Sequence, residues 1–303
     1  MKQLWRPLTG AVILVGFAVF VERYLGWAAL LAPWRELPWW ETLLASGLAV
    51  FSYWVRTARL FDYFHAEMRG GFALCFKLTL QHNLLNNLLP MRSGELSFPM
   101  LMSRYFSVPA RRSVPALLWF RALDLHTLAI FALLALQPVG GATPYIVVGL
   151  LVWLPLPLLT FIYAQRLREA LNKHDAGGWR HQLGQLLTGL PQGRGAFWRA
   201  WGWTLVNWAV KLAAFAWVLR FFIGISVPAA WMGAIAGDLT SVLPVHGIAG
   251  AGTYEAGVVA GLVPYGVEPA AALAAAVNLH LFLLGTTLAG GAASLLIKGG
   301  RRG

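Results

Sequence analysis

Residues 86–95 read Asn-Asn-Leu-Leu-Pro-Met-Arg-Ser-Gly-Glu and differ sharply from the sequence around them. It places two amides, a proline, an arginine, a glycine and a glutamate within a strongly apolar chain. Polar groups at membrane depth are costly and mark functional positions. Residues 240–255, TSVLPVHGIAGAGTYE, repeat the pattern of a small polar residue, Leu-Pro, a flexible turn and a glutamate. We therefore predict that these two stretches form the centre of the protein.

The composition is that of a polytopic membrane protein. Hydrophobic residues make up 58% of the chain and charged residues 12%, and the mean hydropathy is +0.62. The 15 tryptophans fit this class, because indole rings favour the membrane interface. A formal net charge of +12 would raise the question of nucleic acid in a soluble protein, but here it first indicates topology. We expect the lipid bilayer as a partner, and no nucleic acid.

Few residues carry the signature of a reactive or metal-binding centre. Cys75 is the single cysteine, which excludes an intramolecular disulfide. The sequence has no Cys/His spacing typical of zinc sites. We expect no metal ion, no cofactor and no catalytic residue.

Six apolar segments are predicted to cross the membrane, which takes about 20 residues, although the first is short for a span. They are residues 8–21, 38–55, 114–136, 145–163, 201–223 and 271–297. We interpret the first as a span rather than a cleaved signal peptide, because no small-residue cleavage site follows it. Pro155 and Pro157 are predicted to kink the fourth span.

Two further segments, 71–112 and 228–264, are predicted to be re-entrant hairpins. Arg56 and Arg59 are predicted to follow the second span as its basic flank. With Arg69 they precede the first polar segment, and further arginines follow it, so the positive-inside rule places both ends of the segment in the cytoplasm. If both termini of the chain are cytoplasmic, the second hairpin begins and ends on the opposite side. Three full crossings after Gly224 satisfy the same end points, and that alternative stays open.

The predicted fold is thus an all-α polytopic membrane protein, with about six transmembrane helices and two opposed re-entrant helical hairpins in an inverted repeat. One transmembrane domain covers residues 1–303. It divides into a first half (1–165) with hairpin 71–112, a basic, glycine-rich cytoplasmic linker (166–199) and a second half (200–303) with hairpin 228–264. The hairpins are predicted to break near the midplane, where secondary transporters place their sites. The predicted breaks are Pro90, Gly94, Pro244, Gly250 and Gly252.

Three motifs in this order resemble the flippase-like transmembrane region of the lysylphosphatidylglycerol synthase family: NNLLPMRSGE, then FRALDL at 120–125, then LPVHGIAGAGTYE at 243–255. The resemblance covers about residues 8–297. In that family this region is associated with moving a lipid between leaflets, and a separate soluble domain performs aminoacyl transfer. The resemblance implies a stand-alone member without that domain. It also implies a lipid transporter rather than an enzyme, located in the inner membrane of a bacterium with both termini cytoplasmic.

Carried over position by position, the resemblance points to residues in both halves. They are Asn87, Pro90, Arg92, Gly94, Glu95, Arg121 and Asp124 in the first half, and Pro244, Gly250, Gly252 and Glu255 in the second. The chain departs from the family pattern in two places. It has Gly-Ile-Ala-Gly at 247–250 where the family usually shows a Gly-Gly pair, and Asn278 and His280 where the family often has an arginine.

A lipid translocator needs a polar groove that opens sideways to the bilayer, with groups that bind the headgroup. Arg92 and Arg121 are candidates for an anionic headgroup, because the planar guanidinium binds phosphate through two donors. Glu95 and Asp124 are predicted to pair with these arginines, so headgroup binding would compete with the pairing. The alternatives are that the Arg92–Glu95 pair only fixes the turn, and that Arg121 and Asp124 form a simple pair within one helix.

Lys211 is a further candidate for substrate binding, with snorkelling to the interface as its alternative. Glu255 has no arginine close in sequence, and we hypothesise that it is protonated and couples transport to protons. His82, His246 and His280 are predicted to be hydrogen-bonded packing residues.

Two other function classes stay open. One is an intramembrane enzyme acting on lipid, with His82 or His246 beside Glu95, Asp124 or Glu255. The other is an ion or small-solute transporter of the same architecture. Small-residue faces at 252–261 and 285–293 would pack helices within one chain or between two, so a homo-oligomer also stays open.

Overall fold

The computed structural model describes residues 5–137, 141, 143–172, 178, 184, 187, 189–191, 193–240 and 248–298; the side chains of residues 5–14, 90–92 and 170–172 lie outside this description. Within these ranges the chain is helical and contains no strand. The helices are α1 (Trp5–Tyr24), α2 (Trp27–Leu31), α3 (Trp39–Tyr63), α4 (Phe72–Leu88), α5 (Ser97–Phe106), α6 (Ala110–Ala135), α7 (Thr143–Trp153), α8 (Leu156–Asn172), α9 (Arg194–Phe222), α10 (Val227–Thr240), α11 (Thr253–Leu262) and α12 (Pro269–Leu296).

The apolar helices confirm an all-α, multi-pass membrane protein. By length and composition, four described segments can each cross a membrane: α6, α7 together with α8 as far as Glu169, α9 and α12. The pair formed by Val15–Tyr24 and Trp27–Arg35 is bent by 86° and would make a fifth span. α3 has 25 residues but is not among these segments, and it carries Arg56 and Arg59 in its second half. The fourth predicted span breaks between Trp153 and Leu156, beside Pro155, as the sequence predicted.

The first hairpin consists of α4, a 3₁₀ turn (Pro90–Leu96) and α5. α4 ends at Leu88, and Leu89 has an extended backbone (φ −80°, ψ 135°) because the following proline disfavours the helical region. Gly94 in the turn lies against the backbone of α4. A Cβ atom on Gly94 would lie 2.3 Å from the carbonyl oxygen of Leu85, so only glycine allows this approach. α5 then packs back against α4.

The second hairpin consists of α10 and α11, which pack closely along each other. Gly257 and Gly261 of α11 lie against α10; a Cβ atom on Gly257 would come within 2.6 Å of the carbonyl oxygen of Ala236. Residues 241–247, which include the predicted break at Pro244, lie outside the described residues. Gly250 and Gly252 follow with φ of +79° and +83°, values that favour glycine.

The small-residue faces therefore pack within the chain at these glycines. The same holds in α12, where a Cβ atom on Gly291 would lie 2.7 Å from the side chain of Leu84 in α4.

The two hairpins meet at their turns. The turn Pro90–Leu96 and helix α4 both contact the short 3₁₀ segment Ile248–Gly250 that leads into α11. The described residues form two large apolar cores, one mainly from each half of the chain. The first contains Phe64, Met68, Leu78 and Met102, and the second contains Leu212, Leu219, Ile235 and Leu279.

One part of the segment predicted to be a flexible linker packs against the first half. A Cβ atom on Gly189 would lie 2.3 Å from the backbone of Pro115 in α6, and the carbonyl oxygen of Gly189 accepts a hydrogen bond from the Tyr63 hydroxyl. Glycine at this position thus serves close packing rather than flexibility alone.

Candidate functional site

A cavity of about 280 Å³ lies where the two hairpin turns meet. Side chains from both hairpins and from α3, α6, α9 and α12 line it. The charged lining residues are Arg56, Glu95, Arg121, Asp124, Lys211 and Asp238, and the neutral polar ones include Asn83, Asn86, Asn87, Thr240, Thr253, Tyr254 and His280. A polar cavity within an apolar helical protein is the expected place for a site that handles a polar ligand.

Arg121 on α6 connects two carboxylates in this cavity. Its Nη2 lies 2.7 Å from Oε1 of Glu95 in the first hairpin turn, and its Nη1 lies 3.2 Å from Oδ2 of Asp124. The two residues of α6 are three positions apart, so they share one face of the helix. The pair within the helix is therefore present, but Arg121 also ties the hairpin turn to α6.

Asp124 extends this network to α3 and α9. Its Oδ1 lies 2.7 Å from Nη1 of Arg59 and accepts a hydrogen bond from the indole Nε1 of Trp208 at 3.0 Å. Arg59 is only 5% exposed, and it also donates to the hydroxyl of Thr204 at 3.0 Å. Its guanidinium carbon lies 4.7 Å from the centre of the Phe120 ring. A charge this deeply buried is stabilised by these partners.

Lys211 and Asp238 form a separate ion pair in the second half. The ammonium of Lys211 on α9 lies 2.9 Å from the carboxylate of Asp238 on α10. It also lies 4.9 Å from the centre of the Trp208 ring and 5.0 Å from that of Phe215. Lys211 thus points into the protein rather than snorkelling to an interface.

Glu255 pairs with a histidine. Its Oε1 lies 2.7 Å from Nδ1 of His280 on α12, and its Oε2 accepts the backbone N–H of Gly252 at 2.8 Å. The carboxylate is buried, and the second contact caps the N-terminus of α11. His280 lines the cavity, whereas Glu255 lies behind it. The histidine supplies the partner that the sequence did not reveal.

Two amides complete the cavity wall on α4. Asn87 donates from Nδ2 to the hydroxyl of Thr287 on α12 at 2.9 Å. Asn83 accepts a hydrogen bond from the guanidinium of Arg56 at 3.1 Å. These bonds hold the first hairpin against α12 and α3.

Five of the seven predicted substrate-binding residues line this one cavity: Asn87, Glu95, Arg121, Asp124 and Lys211. Glu255 is not among the lining residues, but it binds His280, which lines the cavity. The side chain of Arg92 lies outside the described residues, and His246 lies wholly outside them. His82 is a buried hydrogen-bonded residue, with Nδ1 2.9 Å from the hydroxyl of Ser97.

The sequence analysis missed three charged residues of the site: Arg56, Arg59 and Asp238. It assigned the two arginines only to the basic flank of the second span. α3 continues to Tyr63, however, so both arginines lie within the helix and, three positions apart, on one face. Asp238 could have been identified from the sequence, because it is an acidic residue within an apolar segment.

Among the described residues, no three His, Cys, Asp or Glu side chains are grouped so that they could hold a metal ion.

One comparison with known proteins is informative. The family model for the lysylphosphatidylglycerol synthase TM region matches residues 8–291. No curated protein and no solved structure matches the chain.

Proposed function

We propose that this chain, which belongs to the lysylphosphatidylglycerol synthase TM region family, is a translocator that moves a lipid with an anionic headgroup between the two membrane leaflets. The family suggests a role connected with membrane lipids. The step from that role to translocation rests on the residues of the cavity.

The observation that carries the proposal is the cavity between the hairpin turns, where Arg121 is held by two carboxylates. A guanidinium binds a phosphodiester with the same bidentate geometry that it uses for a carboxylate. A phosphate that entered the cavity would therefore compete with Glu95 and Asp124 for Arg121. Such an exchange keeps Arg121 paired and leaves Asp124 on Arg59, which matters in a medium where an unpaired charge costs several kcal/mol.

The position of this exchange supports a link between binding and movement. Glu95 belongs to the turn of the first hairpin, whereas Arg121 belongs to α6. Loss of the Glu95–Arg121 bond would free the turn from α6. Broken helices at a central cavity are the usual moving parts of secondary transporters. Headgroup binding would thus favour a second position of the hairpin, and alternation between the two positions would carry the headgroup across.

We infer the orientation of the protein in the membrane from the charge of its extramembrane segments. The basic segment 166–199 and the basic C-terminal residues 298–302 would face the cytoplasm. The protein would then lie in the inner membrane of a bacterium with both termini inside. The acyl chains of the lipid would stay in the bilayer while only its headgroup enters the cavity.

A second candidate, an intramembrane enzyme that acts on lipid, has one observation in its favour. The Glu255 carboxylate lies 2.7 Å from Nδ1 of His280, which is the arrangement of a general base and the group that orients it. His280 lines the cavity. A lipid hydroxyl in the cavity would be the group that such a base activates.

Reconstitution tests the two candidates together. Purified protein in liposomes with fluorescent phosphatidylglycerol or phosphatidylcholine is treated with a membrane-impermeant quencher. A translocator increases the quenched fraction of the anionic lipid beyond that of protein-free liposomes, while the extracted lipid is chemically unchanged. A chemically altered lipid without increased quenching favours the enzyme. If folded protein does neither with either lipid, both candidates lose their support, and an ion or small-solute transporter becomes the better account.

A further inference from the structure

A second, smaller cavity lies beside the central one, between α3, α4, α5 and α6. Its volume is about 40 Å³. One water molecule requires roughly 10–15 Å³ on this scale, so the space holds a few waters or one small ion. Arg56 and Arg121 line both cavities and form the wall between them.

The lining of the small cavity has a single sign of charge. Arg56, Arg59 and Arg121 all contribute to it, and Thr79 and His82 are its other polar residues. None of the described lining residues is acidic. The carboxylates of Glu95 and Asp124 that pair with these arginines line the central cavity.

Each of the three guanidinium groups also has an N–H donor without a partner in the described part of the chain. The Nε atom of each of them is buried and has no hydrogen-bond partner among the described residues. Buried N–H donors without a partner are rare in native proteins, so the described protein groups leave this arginine cluster incompletely hydrogen-bonded. His82 does not compete for such a ligand through Nδ1, because that nitrogen bonds to Ser97.

The charge count points to an anion. Among the described side chains, three arginines face the two carboxylates of Asp124 and Glu95, which leaves one positive charge. The excess belongs to Arg56, whose contact with Asn83 is to a neutral amide oxygen. A positive charge within a membrane protein is stabilised by a counterion.

We propose that this three-arginine cavity is a binding site for one singly charged anion no larger than a phosphate group. The anion is an inorganic ion from solution or the charged oxygens of a lipid phosphodiester; both accept hydrogen bonds from guanidinium N–H groups. The site rests on the three arginines and their cavity, and it stands whether or not the protein translocates lipid.

The test is the thermal unfolding midpoint of the full chain in an uncharged detergent, at fixed pH and ionic strength. Sodium gluconate, whose anion is too large for the cavity, is replaced stepwise by chloride or by inorganic phosphate. A second series adds dihexanoylphosphatidylglycerol in gluconate, with dihexanoylglycerol as the phosphate-free comparison. A ligand that binds only the folded protein raises the midpoint in a saturable manner.

Three variants assign the response to the site. Arg56→Gln removes the excess charge, and Leu117→Phe fills the space while leaving every charge in place, since Leu117 lines only the small cavity. Arg199→Gln is the control, because it removes a charge from an exposed pair with Asp62. We expect the shift to disappear in Arg56→Gln and Leu117→Phe and to remain in Arg199→Gln. Leu117→Phe keeps the test decisive if Arg56→Gln does not fold.

The outcomes distinguish a dissolved anion from a lipid phosphodiester as the ligand. A shift with the inorganic anions that depends on the site identifies a dissolved ion, and a shift only with the phospholipid identifies the lipid phosphodiester. No shift in the wild type with any of them, or an equal shift in Leu117→Phe, overturns the proposal.

Discussion

Nη2 of Arg121 lies 2.7 Å from Oε1 of Glu95, which ties the turn of the first hairpin to α6. The same guanidinium lies 3.2 Å from Asp124, and Asp124 lies 2.7 Å from Arg59 on α3. Ion pairs in a low-dielectric interior are stable as a complete set, and removal of one member leaves the others uncompensated. This network is therefore where substitutions should separate structure from function.

Asp124→Asn is expected to lower the free energy of unfolding by about 3–5 kcal/mol, since it leaves Arg59 and Arg121 without a shared counterion in the interior. The matched control is Asp62→Asn, which breaks the exposed pair with Arg199 and should cost only about 0–1 kcal/mol. Denaturant unfolding in mixed micelles measures both. Equal losses of unfolding free energy in the two variants would show that the Asp124 network is solvated like a surface pair.

Lys211 and Asp238 should behave as a coupled pair. Lys211→Met alone leaves the carboxylate of Asp238 without its lysine, and Asp238→Leu alone leaves the ammonium buried. The double variant removes both charges, so its loss of stability should be smaller than the sum of the two single losses by about 0.5–3 kcal/mol. Additive losses in the same unfolding assay would contradict the pairing of α9 with α10 through these residues.

Gly94→Ala should disrupt the first hairpin turn, because the new Cβ atom would lie 2.3 Å from the Leu85 carbonyl oxygen and 2.4 Å from the Asn86 Cα atom. Gly47→Ala in α3 is the control: no atom lies within 4 Å of its Cβ position, and alanine favours a helix by about 0.5–1 kcal/mol. The unfolding midpoint should fall in the first variant and stay level or rise in the second. An unchanged midpoint in Gly94→Ala would mean that the turn does not pack on α4 as described.

The proposed orientation in the membrane predicts which introduced cysteines a thiol reagent can reach in intact cells. In a background without the native cysteine, cysteines at the exposed positions His65, Arg111 and Arg194 should react with an impermeant reagent only after the membrane is opened. Cysteines at Tyr145 and Ser226 should react from outside. Labelling of the His65 and Arg111 positions from opposite sides would show that the first hairpin crosses the membrane instead of returning.

Much of the fold follows from local sequence. Spans come from apolar runs of sufficient length, and the end of α4 comes from Pro90, whose effect on Leu89 is a matter of neighbouring residues. α3 was the exception. Its apolar run stops near Val55, but the helix continues to Tyr63 because its second half packs inside the protein. The length of this apolar run therefore predicted too short a span, and it placed Arg56 and Arg59 in the segment after the span.

The site was only partly predictable, because its bonds connect distant parts of the chain. Arg121 and Asp124 could be paired from their spacing on one helix. The Arg59–Asp124 bond connects residues 65 positions apart, and the Glu255–His280 bond connects residues 25 positions apart. No periodicity along the sequence encodes such contacts. They depend on how the hairpins fold back into the helical bundle, and a single sequence does not show which distant elements become neighbours.

The most direct measurement is the initial rate at which fluorescent phosphatidylglycerol changes leaflet in proteoliposomes, compared among the wild type, Arg121→Ala and Arg199→Ala at equal amounts of folded protein. Arg121 lines the cavity, whereas Arg199 lies in an exposed pair. The account predicts movement in the wild type, at least a roughly tenfold slower rate in Arg121→Ala, as expected for losing about 1.4 kcal/mol of headgroup interaction, and an unchanged rate in Arg199→Ala. Equal rates in all three proteins, or no movement in the wild type, would contradict translocation through this cavity.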